Sequence, residues 1–589
     1  MREGDGLRCG PNNRMKTKDY IAQFLAEQGV STVFELPGGM SAHFIDSLYQ
    51  QDRVRIVTVH HEQSAAFAAD AVGRLTGFPG VAFATSGPGA VNLLTGVGSC
   101  HFDSSPAVFI TGQVNRSELK GDRAIRQLGF QETDVVTMAM PITKAAWQVR
   151  TPEEVPHRLR EAFALATAGR PGPVLIDIPM DVQSMEVPGD APNATATEAN
   201  HQPKIDDKTL EELFSELKKA RRPLLLVGGG IRAARSTELL RTLVKQIQVP
   251  VVNSVMAVDA LPFADPMRVG MIGTYGNRWA NLAIGRSDFL LVLGSRLDIR
   301  QTGADTKSFK SDRVIFHVDC EAGEVNNRVV GCYPILADLA GFLKAANDFA
   351  ATQQFDARPD WLAEISELRH TWPDTKEVFD ISGINPNSLM HMLSTVSQAA
   401  GAYVVDVGLH QMWAAQSLEL TDSQHFLTSG GMGAMGFSLP AAIGAAAVLA
   451  PRPVVVIAGD GGFQLNIQEL QTVVRNNFPI KIIVINNKSQ GMIRQFQQTY
   501  FDGRYQSSVW GYSTPDFARV AEAYGIPGRT LANEEDIESA LGWLWQNPGE
   551  PALLDVTIDL NANAYPKIAF GKPLTEMEPF ASPVELEGT

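Results

Sequence analysis

The sequence predicts an α/β protein made of three consecutive doubly wound domains, each with a parallel sheet covered by helices on both faces. Short apolar runs rich in β-branched residues recur along the 589 residues, and amphipathic helical patterns separate them. Continuous apolar runs of this kind are typical of strands that are buried on both faces of a parallel sheet. The chain is also too long for one hydrophobic core, because about 150 residues per domain is usual.

The first predicted domain spans residues 15–187. It begins with an amphipathic helix from Asp19 to Gln28, which ends at Gly29, and glycine commonly follows a helix C-terminus. A helical pattern over 62–75 lies among four predicted strands, at 32–34, 56–59, 81–84 and 108–111. Residues 1–14 are polar and contain no apolar signal-peptide core, so we expect a disordered extension outside the fold.

The second and third domains repeat this alternation. A linker from Gly189 to Asp206, rich in Pro, Ala, Asn and Thr, precedes the second domain at 207–345. A polar helical stretch over about 345–380 leads to the third domain at 381–560, and residues 561–589 are expected to form a C-terminal tail. The strands predicted in these two domains lie at 224–227, 289–293, 313–318, 403–405, 454–457, 481–485 and 552–556.

Composition excludes several classes of function. With 50 basic and 65 acidic residues the net charge is −15, which argues against a nucleic-acid or anionic-membrane partner. Four widely separated cysteines form no CxxC pair, a usage that fits the reducing cytoplasm better than a disulfide scaffold or a zinc site. No apolar run reaches the roughly 20 residues that a membrane span needs. We therefore expect a cytoplasmic protein without a membrane partner.

The sharpest local motif is Gly459-Asp460-Gly461-Gly462, which joins an apolar strand to a helix, together with Asn487, which follows the next apolar strand. Both halves lie at carboxyl ends of parallel strands, where open α/β sheets bind ligands. The glycines allow close approach of a diphosphate, and the helix N-terminus supplies free amides. The Asp460 carboxylate, the Asn487 amide oxygen and the Ser489 carbonyl suit Mg²⁺. A GDG turn alone recurs by chance, but the 27-residue separation and the strand context indicate a thiamine-diphosphate fingerprint.

Longer stretches extend this resemblance. The run that begins at His60 reads HHEQSAAFAADAVGRLTGFPGVAFATSGPGAVNLLTG, and the runs GLHQMWAAQ and TSGGMGAMGF begin at Gly408 and Thr428. From about Lys16 to Pro579 the chain resembles the catalytic subunit of the acetolactate (acetohydroxyacid) synthases. That family implies a pyrimidine-binding domain, a central Rossmann-like domain and a diphosphate-binding domain, in this order.

The resemblance assigns roles to individual residues. Glu62 would hydrogen-bond the aminopyrimidine ring of thiamine diphosphate bound to a neighbouring subunit, so that a homodimer is the smallest active unit and a homotetramer is an alternative. Without the resemblance, Glu62 would read as an acid that favours a helix N-terminus. Gly433 would offer its carbonyl to the aminopyrimidine, and Met435 would hold the two rings bent, although Met is more commonly core filler. The other expected active-site and thiamine-site residues are Gly39, Phe130, Gln131, His410, Gln411 and Met492.

The central domain resembles the FAD-binding domain of the family. The expected FAD contacts are Arg170, Gly228, Gly229, Met271, Arg296 and Asp319. Two positions depart from the family pattern: Ile272 stands where a histidine is usual and Ile299 where an aspartate is usual, and both changes put FAD binding in doubt. Arg300 matches the arginine that pairs with the acceptor carboxylate, a task that suits a planar guanidinium. Phe496 replaces a tryptophan and Met40 an alanine, which indicates an altered acceptor site.

Several functions remain open at this point. The leading hypothesis is decarboxylation of pyruvate and transfer of the two-carbon unit to a second 2-oxo acid. Alternatives are the same donor with another acceptor such as a keto-sugar nucleotide, a simple decarboxylase, an oxidase or an acyl-CoA lyase. A non-catalytic regulatory or scaffold role is opposed by the presence of Glu62, Asp460 and Asn487. His60, His61 and His410 are acid–base candidates, or simply hydrogen-bonded residues beside strand ends. The sequence leaves a separate regulatory subunit undecided.

Overall fold

The computed structural model describes residues 15–187 and 205–584. The predicted extension at 1–14, most of the predicted linker at 189–206 and the last five residues of the predicted tail lie outside these ranges. The chain divides into an N-terminal unit within residues 1–200 and a C-terminal unit within 201–589. Together they contain three six-stranded sheets, one in the first unit and two in the second, and this confirms the predicted α/β class.

The N-terminal unit holds the first parallel sheet. The strands of this unit are β1 (Met15–Lys16), β2 (Thr32–Glu35), β3 (Arg55–Thr58), β4 (Gly80–Ala84), β5 (Ala107–Gln113), β6 (Ala145–Gln148), β7 (Pro173–Pro179) and β8 (Glu186–Val187), of which β2 to β7 form the sheet. Its helices are α1 (Thr17–Glu27), α2 (Ala42–Gln51), α3 (Glu62–Thr76), α4 (Pro88–Asp103), α5 (Val135–Ala139), α6 (Glu154–Thr167) and α7 (Met180–Ser184), with 3₁₀ turns at Arg116–Glu118 and Met140–Ile142. The short strands β1 and β8 pair with each other antiparallel.

The C-terminal unit begins with the central sheet. Its strands are β9 (Pro223–Val227), β10 (Val251–Asn253), β11 (Arg268–Met271), β12 (Phe289–Leu293), β13 (Val314–Asp319) and β14 (Tyr333–Leu336). Its helices are α8 (Asp207–Lys219), α9 (Gly230–Ala233), α10 (Thr237–Ile247), α11 (Arg278–Arg286), α12 (Ile299–Thr302), α13 (Thr306–Lys310), α14 (Leu339–Ala350) and α15 (Pro359–Thr371), with 3₁₀ turns at Val255–Ala257 and Asp374–Lys376.

The third sheet follows in the same unit. Its strands are β15 (Ala402–Val405), β16 (His425–Thr428), β17 (Val454–Gly459), β18 (Ile480–Asn486), β19 (Gly528–Leu531) and β20 (Ala552–Thr557). Its helices are α16 (Pro386–Val396), α17 (Leu409–Ser417), α18 (Ser438–Leu449), α19 (Asp460–Leu465), α20 (Leu470–Asn476), α21 (Gly491–Tyr500), α22 (Phe517–Ala523) and α23 (Ile537–Leu544), with 3₁₀ turns at Ile467–Glu469 and Glu534–Asp536. No helix within the described ranges is long and apolar enough to cross a membrane.

The strand order shows where each sheet can hold a ligand. The first sheet runs β3-β2-β4-β5-β7-β6 and the third runs β16-β15-β17-β18-β20-β19, which is the same order, whereas the central sheet runs β11-β10-β9-β12-β13-β14. All neighbours within these sheets are parallel. The order reverses between β2 and β4, between β9 and β12, and between β15 and β17. In doubly wound sheets, ligands bind at the carboxyl ends of strands beside such reversals.

The alternating direction of side chains along each strand explains why both faces of the sheets are buried. In β9, Leu225 and Val227 belong to one apolar core while Leu224 and Leu226 belong to the core on the opposite face. Successive strand side chains point to opposite faces, so a run of apolar residues buries both. This is why the continuous apolar runs in the sequence predicted the strands within a few residues of their ends.

Part of the predicted C-terminal tail packs against the central sheet. Its short strands β21 (Lys567–Ile568) and β22 (Met577–Glu578) pair antiparallel. Ile568, Leu574 and Met577 are buried in the core that contains Leu224 and Leu226 of β9. The chain therefore returns from the third sheet to cover one face of the central one, which the sequence did not predict.

Candidate active site

Glu62 lies at the carboxyl-end edge of the first sheet. It is the first residue of α3, and the His61 ring caps this helix by accepting a hydrogen bond from the Gln63 amide at 3.1 Å. The Glu62 side chain is buried, and its Oε2 accepts a hydrogen bond from Asn92 Nδ2 at 2.9 Å. The carboxylate is thus fixed in direction by two helices, α3 and α4. This is the geometry expected of a group that must meet one particular atom of a ligand.

Two glycines pack closely against Thr85, and one of them also lies beside this carboxylate. A Cβ on Gly89 would lie 3.0 Å from Glu62 Oε1 and 2.8 Å from Thr85 Cγ2. A Cβ on Gly38 would lie 2.4 Å from Thr85 Cβ, and the Thr85 hydroxyl accepts a hydrogen bond from the Met40 amide at 3.2 Å. The loop after β2, which carries the exposed Gly39, therefore packs directly against the loop after β4. Both loops flank the strand-order reversal of the first sheet.

The Phe130–Gln131 segment also reaches this edge. Gln131 has a left-handed backbone, with φ +65°, and a Cβ on Gly87 would lie 2.9 Å from Gln131 Cβ. Since Gly87 precedes α4, Gln131 lies close to the helix that also holds Glu62. A left-handed non-glycine residue costs about 1–3 kcal/mol and is typical of functional sites. The Phe130 ring is 79% exposed, so it is available to a ligand or a partner.

A buried carboxylate that we did not single out from the sequence supports this segment. Asp177 in β7 accepts hydrogen bonds from Thr111 Oγ1 at 2.7 Å, Gln113 Nε2 at 3.0 Å and Gln148 Nε2 at 3.1 Å. Gln113 Nε2 also donates to the Thr133 carbonyl at 2.8 Å, two residues beyond Gln131. Burial raises the pKa of Asp177 to about 6, although these hydrogen bonds act in the opposite direction.

Asp460 and Asn487 directly follow the carboxyl ends of the paired strands β17 and β18. Asp460 Oδ1 accepts a hydrogen bond from the Gly461 amide at 2.9 Å, and Asn487 Oδ1 accepts one from the Ser489 amide at 3.2 Å. Asp460 is 3% exposed, and burial raises its pKa to about 7. Its second oxygen, Oδ2, is buried without a hydrogen-bond partner among the described residues. A buried acceptor without a donor is costly and indicates that a ligand completes the site.

Glycines bring the backbone of this edge into close contact with three polar side chains. A Cβ on Gly459 would lie 2.8 Å from the His410 ring, one on Gly461 would lie 2.4 Å from Gln490 Nε2, and one on Gly462 would lie 2.6 Å from Asp406 Oδ1. His410 Nε2 accepts a hydrogen bond from the Gly459 amide at 3.1 Å. Burial lowers the pKa of His410 to about 3. His410 is therefore a neutral residue that positions Gly459, and it is unsuited to acid–base work near pH 7.

The loop that carries Gly433 and Met435 is held by Asp406, which we also did not single out from the sequence. Asp406 Oδ1 accepts from the amides of Val407 at 2.8 Å and Gly436 at 2.9 Å, and Oδ2 accepts from the Ser438 amide at 2.9 Å and hydroxyl at 2.7 Å. Gly433 has a left-handed φ of +66° and open space around its Cβ position, and Met435 is partly exposed. The loop is thus fixed at its base and open at its tip.

The remaining predicted thiamine-site residues lie on two helices around this edge. Gln411 Nε2 donates to Thr428 Oγ1 at 2.6 Å, while its buried Oε1 has no partner in the described part of the chain. Met492, on α21, is partly buried and packs against the core of the third sheet. Phe496, one turn later, is 42% exposed, with its ring centroid 4.7 Å from that of Tyr500.

The residues at this edge of the third sheet fit the thiamine diphosphate and Mg²⁺ that the sequence predicted. Asp460 Oδ2 and Gln411 Oε1 are buried acceptors without donors, and Ser489 Oγ is likewise buried without a partner among the residues described. Oxygen ligands from one carboxylate and one amide suit Mg²⁺, which takes the rest of its octahedron from phosphate and water. No cluster of three or more His, Cys, Asp or Glu residues that could hold a metal occurs in the described ranges.

The central sheet has its own glycine turn at the strand-order reversal. A Cβ on Gly228 would lie 2.2 Å from the Gly294 carbonyl, and the Gly230 amide donates to the same carbonyl at 3.0 Å. The turns after β9 and β12 are therefore packed backbone to backbone, and Gly229 lies between Gly228 and the start of α9. This arrangement suits close approach of a dinucleotide.

The other predicted FAD residues are scattered around the sheets. Arg296 and Asp319 are partly exposed at the carboxyl ends of β12 and β13. Met271 is buried in the core of the third sheet, so it offers packing rather than an open side chain. Arg170 Nε donates to Ser104 Oγ at 2.8 Å just before β7, which places it at the edge of the first sheet opposite Glu62.

Arg300 lies on α12 and is partly exposed. Its amide donates to Asp298 Oδ1 at 2.8 Å, and its carbonyl accepts from the Thr274 amide at 2.6 Å. Its charge acts on Tyr275, which packs against the core of the third sheet. Arg300 is thus fixed by its backbone near the third sheet while its guanidinium remains available.

Comparison with known proteins decides the family. Three family models match in order: the N-terminal TPP binding domain of thiamine pyrophosphate enzymes at residues 15–138, the central domain at 210–346 and the C-terminal TPP binding domain at 406–556. The chain is 36% identical over 576 residues to acetolactate synthase 2, chloroplastic, of Nicotiana tabacum, covering 96% of this chain and 85% of the relative. It is 35% identical over 565 residues to the acetolactate synthase large subunit of Lactococcus lactis, covering 95% of each. It is 37% identical over 592 residues to the large subunit of Parasynechococcus marenigrum, covering 99% and 94%.

The chain belongs to the acetolactate synthase family. It is thus a thiamine-diphosphate-dependent enzyme, as the motifs predicted. The family models place Glu62 in the N-terminal TPP binding domain and Asp460 with Asn487 in the C-terminal one. The individual roles of the site residues remain predictions from the family resemblance.

Two residues of this acetolactate synthase-like site were missed at the sequence level, Asp406 and Asp177. Each is a single acid at or near the end of an apolar strand, a pattern too common to stand out. For Asp406 a signal existed, because the run VVDV directly precedes the GLHQMWAAQ stretch and begins in the last residues of β15, beside the strand-order reversal. For Asp177 the partners lie 29 to 66 residues away, so only the fold brings them together.

Proposed function

We propose that this protein is a carboligase that decarboxylates pyruvate and transfers the two-carbon unit to a second 2-oxo acid, giving acetolactate, with Mg²⁺ as its metal. The observation that carries the proposal is the set of buried acceptors without donors, Asp460 Oδ2 and Gln411 Oε1, at the strand-order reversal of the third sheet. The relatives named acetolactate synthase support the same reaction.

The chain's own residues have separable tasks in this proposal. When bound, thiamine diphosphate supplies the carbon that carries the two-carbon unit between donor and acceptor. Asp460, Asn487 and the Ser489 carbonyl would hold Mg²⁺, and the α19 amides would face the diphosphate. Gly433 and Met435 would position the aminopyrimidine. Glu62, which Asn92 holds in one direction, would hydrogen-bond the ring nitrogen of that aminopyrimidine.

The site is proposed to form between subunits of a homodimer or homotetramer. Glu62 and Asp460 lie in different compact units of the chain, and the family resemblance assigns them to facing subunits. Most soluble homo-oligomers have closed symmetry, and two-fold dimers are the commonest. We propose a cytoplasmic protein, and the small-molecule partners are 2-oxo acids.

We also propose that the central domain binds FAD. The tightly packed turns at Gly228 and Gly294 support this, because their backbones approach each other closely at the strand-order reversal of the central sheet. Arg296 and Asp319 flank the same edge. The buried Met271 and the substitutions Ile272 and Ile299 restrict the contacts available to the flavin.

The experiment incubates the purified protein with pyruvate, thiamine diphosphate and Mg²⁺, with and without FAD, and measures acetolactate after acid conversion to acetoin. The expected result is product that falls at least about 100-fold in Glu62→Gln, because the amide is not a carboxylate partner for the ring nitrogen. Glu154→Gln is the matched control, since Glu154 also opens a helix, α6, and its change should leave activity within about two-fold.

Other outcomes would redirect the proposal. Release of CO₂ without acetolactate would contradict the acceptor, and the absence of any CO₂ with the cofactor bound would contradict the donor. The exposed Phe496 ring, packed on Tyr500 and Phe501, favours as second candidate the same donor with a bulkier carbonyl acceptor. Product analysis with a panel of oxo acids and keto-sugar nucleotides distinguishes these two acceptors.

A further inference from the structure

A short segment after β10, Ser254–Asp259, connects the central sheet to the third sheet. The Ser254 amide donates to the Val227 carbonyl at 3.0 Å, which anchors the segment to the end of β9. Val255 packs against the core of the third sheet, and Val258 is buried inside that core. We call this segment the connector. It is attached at one end to the strand that leads into the glycine turn and at the other to the thiamine-binding domain.

Met256 in the connector lies between two glycines of different domains. A Cβ on Gly430, in the loop that leads to Gly433, would lie 2.2 Å from Met256 Sδ and 2.8 Å from Met256 Cγ. A Cβ on Gly229, in the glycine turn of the central sheet, would lie 3.1 Å from Met256 Cβ. A methyl group on Gly430 would force the flexible Met256 thioether to move, and a methyl group on Gly229 would be tight against Met256 Cβ. Both glycines are therefore shaped to Met256, and a shift of one loop acts on the other through this side chain.

Asp259, at the other end of the connector, forms a parallel link. Its carboxylate forms an ion pair with Arg232, which follows the glycine turn, and accepts a hydrogen bond from the Phe426 amide at 2.9 Å. Phe426 lies on β16, which ends at Thr428, the acceptor of the Gln411 hydrogen bond. The glycine turn is thus joined twice to the strand and loop that border the thiamine site.

We propose that Met256 is a positioning residue that couples the nucleotide-type site of the central domain to the Gly430–Met435 loop of the thiamine site. The inference rests on the proposed function, since it assigns those two sites to FAD and thiamine diphosphate. Occupation of the glycine turn fixes Gly229, Gly229 restrains Met256, and Met256 restrains Gly430. Coupling between two sites is reciprocal, so each cofactor raises the affinity for the other by the same factor.

The alternative is that Met256 only fills space between domains. Deleting it would then lower stability without any specific effect at the thiamine site. A pair of compensating substitutions distinguishes coupling between the sites from simple space filling. Gly430→Ala adds a methyl group where Met256 Sδ lies, and because Gly430 has no left-handed φ the substitution tests space alone. Met256→Ala removes Sδ, Cγ and Cε, and should make room for that methyl group.

The first experiment measures the Kd of thiamine diphosphate at saturating Mg²⁺ by calorimetry, for the full-length wild type, the two single variants and the double variant. We expect Gly430→Ala to raise the Kd at least about 10-fold, and Met256→Ala/Gly430→Ala to return to within about three-fold of Met256→Ala. Gly542→Ala is the control, because its Cβ position on α23 is open. Additive losses in the double variant, or an unchanged Kd in Gly430→Ala, would overturn the inference.

The second experiment measures the same Kd with and without saturating FAD. We expect FAD to lower the Kd at least about five-fold in the wild type and less than two-fold in Met256→Ala. An equal effect of FAD in both proteins, or no effect in the wild type, contradicts the coupling. These failures differ from failure of the proposed function, in which a direct titration would show no FAD binding, or the wild type would bind thiamine diphosphate but form no acetolactate.

Discussion

The first and third sheets have the same strand order, yet their ligand edges carry opposite chemistry. In the first sheet the buried Glu62 carboxylate receives a donor from Asn92, and the neighbouring glycines only clear space beside it. In the third sheet Asp460 Oδ2 and Gln411 Oε1 are buried acceptors without donors among the described residues. The shared topology fixes where each site lies, because loops at a strand-order reversal diverge and leave a crevice. The side chains alone decide what each crevice binds.

The two edges also differ in how they affect the stability of the ligand-free protein. A carboxylate that has its donor is stable in the free protein and ready to act as a directed hydrogen-bond partner. An acceptor set without donors is unfavourable until a cation arrives, because each buried unpaired group costs about 1–3 kcal/mol. The first edge therefore resembles a preorganised catalytic group, and the third edge resembles a binding site that sacrifices stability for affinity.

The largest expected effect tests the acceptor set directly. Asp460→Asn should raise the Kd of thiamine diphosphate with Mg²⁺ by at least about 100-fold, since a charged ligand is lost. The same change should stabilise the cofactor-free protein at pH 8. Asp460, with a folded-state pKa of about 7, is charged and unfavourably buried above that pH.

Calorimetric titration and urea unfolding on the same samples check both effects. If Asp460→Asn lowered the stability of the cofactor-free protein at pH 8, the view of the third edge as a strained acceptor set would be wrong. Asp559→Asn is the control, because Asp559 is a surface acid whose pKa is lowered by its hydrogen bonds.

The second effect concerns the base of the Gly433–Met435 loop. The two carboxylate oxygens of Asp406 together accept four hydrogen bonds. Asp406→Asn replaces one of these acceptor oxygens with an NH₂ group, which can only donate. We expect thiamine diphosphate affinity to fall about 10- to 100-fold, from the roughly 1–3 kcal/mol lost at an unsatisfied buried group.

Ser438→Ala removes only the hydroxyl hydrogen bond to the same carboxylate and should cost less than about 10-fold in affinity. Circular dichroism checks whether the sheets persist in both variants. Equal losses in Asp406→Asn and Ser438→Ala would mean that loop positioning depends on Ser438 instead.

The third effect tests the space beside Glu62. Gly89→Ala places a methyl group 3.0 Å from Glu62 Oε1 and 2.8 Å from Thr85 Cγ2. We expect kcat to fall about 10-fold, since small displacements of a catalytic group are costly, while the Kd of thiamine diphosphate changes less than three-fold.

The double variant Thr85→Ser/Gly89→Ala identifies the source of the loss. It removes the Thr85 methyl group but keeps the hydroxyl that accepts from Met40. If the loss persists, displacement of Glu62 is responsible. Full recovery of kcat would instead attribute the loss to the Thr85 contact.

The smallest expected effect is on stability and comes from Asp177. Burial raises its pKa to about 6, against about 4 in an unfolded chain. Between these pH values the folded protein holds a proton that the unfolded chain releases, so stability falls as pH rises through this window, by about 2–3 kcal/mol at most. Asp177→Asn should flatten this dependence.

Urea unfolding at intervals from pH 4 to 8 measures this pH dependence of the free energy of unfolding. Thr111→Val removes one of the hydrogen bonds that lower the Asp177 pKa, so it should extend the falling region above pH 6. If wild type and Asp177→Asn show parallel curves, Asp177 does not titrate in this range.

Much of the fold could be predicted from the sequence because the strands are continuous apolar runs. Strand β12 was predicted without error at 289–293, and β17 within two residues at its end. Elements with weaker signals were missed, such as β10, which has three residues, and β19, which is partly exposed. Short or half-buried strands depend on their neighbours in the sheet more than on their own residues.

The sequence by itself determined the fold class, the family and the positions of Glu62, Asp460 and Asn487, because these residues stand in local motifs beside strong strand signals. Only the tertiary structure decided which residues support them. Asp406 and the Gly433–Met435 loop, Met256 and Gly430, and Asp177 and Gln113 are far apart in the chain and meet through packing. The folding of the tail onto the central sheet was decided in the same way. Local motifs report what backbone geometry and ligand chemistry require, whereas long-range contacts are set by which apolar faces are left to be covered.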